Sequence, residues 1–283
     1  MIRKYTAMFS ALFTLGVTPL SFAHDTHAKP THADATYIAN EGVLVTQGDL
    51  KIMFDPFFIS GFGTYTEVPE KMLAAINAQA APFDGVDAVF VSHVHRDHFD
   101  AGAMFAYMKT NTTANVFLPE KGAQQLRELA DEDDTILERL IPFALDEGSP
   151  PKQISKDGIT VDAVRIPHAG YPSGRRDINN ILFRVTLADG VTVAHMGDAD
   201  VNDIHYAPYE DHWEKTSVDH AFPPYWYFGS QEGFDILKDR VRVKAATGVH
   251  VPINVPTGLA RSGFDYFSKP GEARIITLPA PKD

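Results

Sequence analysis

The sequence contains no cysteine. Disulfides are excluded, so the fold must hold itself together by its core and by polar or metal contacts. Thiolate ligands are excluded too, which leaves histidine and carboxylate as the strong donors for a metal site. A lipid anchor on a processed N-terminal cysteine is ruled out for the same reason. Positive charge is scarce: 25 Lys and Arg stand against 37 Asp and Glu, a formal net charge of −12. Such a chain lacks the basic footprint that nucleic-acid binding requires, so no nucleic-acid partner is expected. Long apolar runs are also missing. The uncharged stretch at residues 7–20 is too short to span a bilayer comfortably, and no transmembrane segment is expected in the mature protein.

That short stretch has another use. It follows Arg3 and Lys4 and precedes Ser21-Phe22-Ala23, the order of a secretory signal with a small-residue cleavage site. Residues 1–23 are expected to be a signal peptide cut near Ala23, and the mature protein to be periplasmic or secreted. Residues 24–36 are polar, contain Pro30 and show no apolar periodicity, as a flexible leader would. Its His24, His27 and His32 could capture metal, although a solvated tail is the simpler reading. Residues 37–283 are expected to form one folded domain. Hydrophobic content of 44% supplies a core, and no repeat or composition break divides the chain.

The patterning predicts many strands separated by helices. Gly42–Gln47 and Leu50–Phe54 form a hairpin around Gly48-Asp49, and Val86–Val91 is a short buried strand. Val116–Leu118, Ile159–Ile166, Ile181–Leu187, Val191–His195, Val218–Phe222 and Val243–Val251 are further strands. Helices are expected over Val68–Ala78, Asp100–Lys109, Pro119–Ala130 and Gln231–Val241. An α/β fold with two sheets between outer helices fits this order.

Histidine is concentrated in VSHVHRDHFD, residues 91–100, directly after a buried strand. His93, His95 and Asp97 alternate, so extended backbone would project them to one side. His98 must then point elsewhere, and the segment could serve two neighbouring positions. Imidazole and carboxylate suit zinc, manganese or iron. A polar loop with accidental histidines is the alternative, but four ligand-type residues in one short motif argue against it. His168 in RIPHAG, Asp198 in HMGDAD and His250 in TGVHVP each lie at or just past the end of an expected strand. All could meet on one rim of the sheets.

This ordering resembles the metallo-β-lactamase superfamily, whose HxHxDH signature matches His93, His95, Asp97 and His98. The resemblance spans Tyr37 to Val251. It implies a four-layer αββα sandwich and two divalent metal ions, Zn2+ foremost, with Mn2+ or Fe2+ as alternatives. It implies that His93, His95 and His168 bind the first ion, that Asp97, His98 and His250 bind the second, and that Asp198 bridges them. Asp55, in FDP, matches an acidic position behind the ligands. The implied chemistry is hydrolysis by a hydroxide shared between the ions, with Asp97 orienting the nucleophile or passing its proton to the leaving group. Substrates would be small or lipid-like esters, lactones or phosphodiesters. The layout is similar to the branch holding L-ascorbate-6-phosphate lactonase and N-acylphosphatidylethanolamine phospholipase D.

Other residues are candidates for the pocket. Tyr171, three residues after His168, could donate to an oxyanion or simply pack in its loop. His220 follows an expected strand and could face the site, whereas His195, inside a strand, reads as a core histidine. His205 and His212 read as surface residues. Tyr225, Trp226, Tyr227 and Phe228 could line a substrate groove, although such aromatics are more often core. Arg175 and Arg176 could meet an anionic substrate. The competing class is a non-enzymatic periplasmic protein that binds or senses divalent metal. The presence of both Asp97 and Asp198 favours the enzyme, since a carrier does not need an acid poised beside a shared water.

Overall fold

The computed structural model describes residues 32–131, 135–188 and 190–277. The expected signal peptide and the leader up to Thr31 lie outside the described residues. The strands are β1 (His32–Ala39), β2 (Gly42–Gln47), β3 (Leu50–Phe54), β4 (Ala88–Phe90), β5 (Asn115–Pro119), β6 (Leu140–Phe143), β7 (Lys152–Lys156), β8 (Ile159–Arg165), β9 (Ile181–Thr186), β10 (Thr192–His195), β11 (Val218–Phe222), β12 (Val243–Ala246) and β13 (Ala273–Thr277). They form two sheets, ordered β13-β1-β2-β3-β4-β5-β6 and β12-β11-β10-β9-β8-β7.

Each sheet is antiparallel on one side and parallel on the other. From β13 through β3 the strands run antiparallel, and β3 through β6 are parallel. β7 through β10 are antiparallel, and β10 through β12 parallel. A parallel step needs a crossover. Helices α1 (Glu70–Asn77), α2 (Ala101–Thr110) and α3 (Glu120–Arg127) supply three of them on the first sheet. In the second sheet the crossovers carry α4 (Glu210–Trp213) and α5 (Gln231–Asp235), the latter continued by a π turn, Ile236–Arg240.

Three apolar layers fix the sandwich. Between the sheets, Phe54, Phe90, Phe117, Phe143, Phe183 and Phe222 share one buried cluster. Phe90 stacks on Phe117 at 4.8 Å and meets Phe183 edge-on at 5.2 Å. Truncating such a ring to alanine costs about 3–5 kcal/mol. Outside the first sheet, Met53, Val89 and Val116 pack with Met104, Met108 and Leu126 of the helices. Outside the second, Leu182 and Ala194 pack with Trp213 and Ile236. β2 shows why residues 43–45 are all apolar: Val43 and Val45 face one layer and Leu44 the other. The α/β sandwich with outer helices is the one expected.

Some boundaries differ. β1 begins at His32, so residues 32–36 are strand rather than leader. Its inward residues include Ala33 and Ala35, too small to register as an apolar alternation. The strand expected over Val243–Val251 stops at Ala246, because the chain then bends towards a positive φ at His250. β7 is nearly all exposed, and its KQISK carries one apolar residue; it was not anticipated. Nor were β6 and β13. Residues 91–99 leave the sheet after β4 and, with the segments following β3, β8, β10 and β12, gather at one end of the sandwich.

Candidate metal centre

Two devices turn the 91–100 segment into a site. Asp55 leaves β3 with φ of +37°, and its Oδ1 accepts from Ser92 N at 2.7 Å. A tight turn follows, in which His95 O accepts from His98 N at 3.0 Å and from Phe99 N at 2.8 Å. The extended alternation expected through Asp97 therefore ends at His95. The turn, rather than a strand pleat, swings Asp97 and His98 to a second position.

On the second sheet, Asn180 does the corresponding work. Its amide donates to Ile166 O at 3.2 Å and Met196 O at 3.1 Å, and its Oδ1 accepts from Asp198 N at 3.0 Å. The segments bearing His168 and Asp198 are thus tied together. Gly197 has φ of +53°, and a Cβ there would stand 2.4 Å from Asn180 Oδ1 and 2.6 Å from Ser92 Cβ. Only glycine lets HMGDAD approach the first sheet so closely. His250 also has a positive φ, +57°, and its N–H donates to Asn40 O at 3.0 Å. Asn40 Nδ2 in turn donates to Asp97 O at 2.8 Å.

All seven expected ligands converge. Donor atoms of His93, His95, His168 and Asp198 lie within 4.8 Å of one another, as do those of Asp97, His98 and His250. Asp198 stands between the groups. Its Oδ2 lies 2.9 Å from His168 Nε2 and 3.8 Å from His93 Nε2. Its Oδ1 lies 3.1 Å from His250 Nε2 and 3.4 Å from His98 Nε2. Asp97 Oδ2 is 3.5 Å from His250 Nε2.

Hydrogen bonds on the far side of three rings set their tautomers. Ser92 Oγ donates to Asp55 Oδ2 at 2.5 Å, so it accepts from His93 Nδ1 at 3.0 Å. His98 Nδ1 donates to the same Asp55 oxygen at 3.0 Å. His168 Nδ1 donates to Ala169 O at 2.8 Å. Each ring therefore aims an Nε2 lone pair inward, the arrangement that metal-binding histidines use. His98 Nε2, His250 Nε2 and Asp198 Oδ1 are buried without a directed hydrogen bond. Lone pairs facing carboxylate oxygens at such range need a cation between them, so the donor set fits divalent metal.

The acid–base states carry the same message. Burial holds His93 well below the ordinary imidazole range, with His98 adding repulsion. Burial and the neighbouring His168 bring His95 to about 4. Across Asp198 the outcome reverses. Burial again opposes charge, but Asp198 outweighs it and raises His250 to about 9 and His98 well above its usual range. Burial likewise works against the Asp198 carboxylate, yet His250 and His98 pull it well below the usual range. Without metal, protons on His98 and His250 supply the positive charge that the acids demand.

Residues 34–212 match the family model described as the Beta-lactamase superfamily domain. The chain belongs to that superfamily. Solved structures of similar fold include a metallo hydrolase from the archaeon Ignicoccus hospitalis, at 16% identity and TM-score 0.59, covering 88% of this chain and 100% of that one. An isothiocyanate hydrolase from Delia radicum gut bacteria has 16% identity and TM-score 0.58, with 87% and 100% covered. CmlA, a diiron β-hydroxylase from Streptomyces venezuelae, has 13% identity and TM-score 0.50, with 88% and 55% covered. No curated protein matches the sequence.

For this superfamily member, two expected pocket residues fall elsewhere. The Tyr171 hydroxyl donates to Glu147 at 2.7 Å on the surface, away from the ligands. His220 Nε2 pairs with Thr247 Oγ1 at 2.8 Å, and Thr247 donates onward to Asp265. β11 turns His220 towards Lys244 and Ile275, not towards the histidines. His195 is a core residue, stacked on Phe54 at 4.9 Å. His212 is half-buried beside Arg184 rather than on the surface.

The cavity over the ligands, about 410 Å³, is lined by His95, Asp97, Asp198 and His250 together with Tyr65 and Arg175. Tyr65 meets the His250 ring edge-on at 4.0 Å, and burial raises its hydroxyl pKa. Tyr65, Asn40, Ser92 and Asn180 were not anticipated. Nor was Glu41, fully buried 3.7 Å from His98 Nδ1, whose carboxyl burial pushes well above the usual range. Nothing local in Asn40-Glu41-Gly42 marks it as packed beneath a site.

Proposed function

We propose that this protein is an exported hydrolase with a binuclear metal site, acting on an ester, lactone or phosphodiester of a small or lipid-like molecule. The observation that carries this reading is the carboxylate of Asp198, which presents one oxygen to each histidine group. His93, His95 and His168 would hold one ion, and Asp97, His98 and His250 the other. Two divalent ions, zinc foremost with manganese or iron(II) as alternatives, would lower the pKa of a shared water and polarise the scissile group when bound.

The chain's own residues do the rest. Asp97 lines the cavity; burial disfavours its charge, but His250 and His98 outweigh that and keep its pKa below the usual value. It is ionised at neutral pH, so it can orient a water by accepting its hydrogen and return a proton to the leaving group. Tyr65 stays protonated and can donate to a developing oxyanion, the part first expected of Tyr171. Arg175, with Nη1 3.1 Å from His168 Nε2, brings positive charge to the cavity wall. The placement of Asp97 on the cavity is what favours an enzyme over a metal carrier. The hairpin GVLVTQGDLKIMFDP and the late HMGDAD support assignment to the lactonase and phospholipase D-like branch.

The test is a panel of p-nitrophenyl phosphodiesters, carboxylic esters, lactones and thioesters, with the protein loaded in turn with zinc, manganese and iron(II). Hydrolysis that disappears with chelator and in Asp97→Ala is expected. A metal-replete protein that turns over none of them would instead support the metal-binding reading.

A further inference from the structure

The metal cavity has an apolar neighbour. A second cavity of about 510 Å³ is walled by Val201, Tyr225, Trp226, Phe228, Pro256 and Leu259. Three of the four aromatics singled out in the sequence line it, while Tyr227 is fully buried in the core. Trp226 lines this cavity and packs near a residue of the other. Its ring stands 5.4 Å from the His250 ring, and His250 lines the metal cavity. The indole N–H donates to Ala199 O at 3.1 Å, which locks the ring against the residue that follows Asp198. Phe228 is braced too, stacking on Phe264 at 5.1 Å, and a Cβ at Gly248 would touch its ring at 2.7 Å. Both rings are half-buried and line the cavity in fixed positions. Gly258, at its edge, has nothing within 4 Å of where a Cβ would stand, so α6 (Thr257–Ser262) leaves the mouth open.

We infer that this cavity is an acyl-chain subsite: the substrate carries a straight alkyl or acyl chain that lies along Trp226 and Leu259 while its scissile group sits over the metal ligands. The inference rests on the hydrolase reading for the scissile group. The occupant is an alkyl chain because no charged side chain lines the cavity, its polar side chains are only Tyr225, Ser230 and Trp226, and the Trp226 N–H already donates to Ala199 O. A charged or strongly hydrated group would lose its solvation there without repayment.

The probe is the series of straight-chain carboxylates from butanoate to decanoate, titrated into the full-length metal-loaded protein while tryptophan emission is followed. The chain has two tryptophans, and Trp213 is buried in the core, so a response reports Trp226. Each added methylene should tighten binding about three- to fourfold over the first few carbons. Leu259→Asp should flatten that length dependence, with bound metal measured to show that the fold survives. Should that variant lose its metal, Phe228→Ala serves in its place, and its preferred chain should become longer. No length dependence in the wild type, or an unchanged one in the variant that keeps its metal, would overturn the subsite. Tighter binding of 3-phenylpropanoate than of octanoate would overturn the alkyl assignment. The titration needs no turnover. An inactive protein with the length series would sink the hydrolase reading alone; an active one without it would sink the subsite alone.

Discussion

On one side of Asp198, His95 is held at about 4; on the other, His250 is raised to about 9. The ligand types are nearly the same on both sides. What differs is the company. In the first group three imidazoles crowd together, with His95 Nδ1 3.0 Å from His93 Nε2 and 3.1 Å from His168 Nε2, and burial with mutual repulsion lowers the pKa of His93 and His95. In the second group two imidazoles face Asp97 and Asp198, with Asp55 behind, and the acids outweigh burial. His93 and His95 are already in the deprotonated state a metal requires, whereas His98 and His250 must release protons to reach it. One short segment builds both, because the turn at His95–Phe99 sends its later half to the acids.

The largest expected effect breaks both halves at once. Asp198→Ala should lower kcat/KM by on the order of a thousandfold or more and reduce bound metal in both groups, read by kinetics and elemental analysis. Retention of full metal content would sever the bridge on which the comparison depends.

Next come variants that separate the halves. His95→Ala and His250→Ala should each leave about one ion per chain. If either alone empties the site, the groups are one unit rather than two.

A smaller effect tests the support that the halves share. Asp55 receives His98 directly and His93 through Ser92. Asp55→Asn should weaken metal affinity by roughly 10–100-fold in both groups. Ser92→Ala should weaken the first group more than the second, which competition with a chelating dye would resolve.

The smallest effect is on pH dependence in the metal-free protein. His250 is raised above the unfolded value of about 6.5, so its contribution to stability is complete below that pH and is lost as pH rises through about 9. His95 is depressed, so its contribution is present above about 6.5 and is lost as pH falls through about 4. His212 and His220, also brought to about 4 chiefly by burial, add to that acid limb. The Tm in chelator should therefore peak near pH 6.5, with His250→Gln flattening the alkaline side only. A wild-type Tm that does not change between pH 6.5 and 9 would contradict the charge assigned to the second group.

Much of this was legible in the chain, and the exceptions follow a pattern. His93, His95, Asp97, His98, His168, Asp198 and His250 stand out because ligand-type residues at strand ends are a local signal, visible in order and spacing. The hairpin at Gly48-Asp49 and the buried β4 are equally local. Tyr171 and His220 were misplaced because their sequence neighbourhood resembled that of the ligands, whereas a loop path and a strand face decide where a side chain points. Tyr65 carried no such mark, since it reaches the cavity from a segment remote in sequence from the histidines.

Residue type and order, by themselves, determined that a cysteine-free chain would gather histidine and carboxylate donors at the ends of buried strands. Only the tertiary structure decided that Asp198 faces both groups, that Asn40, Asp55 and Asn180 hold the ligands from behind, and that Trp226 of an apolar cavity stands 5.4 Å from the His250 ring. The physical reason is range. Alternation and capping act over a few residues, but convergence depends on two sheets packed through their phenylalanines, which carry strand ends far apart in sequence to one rim.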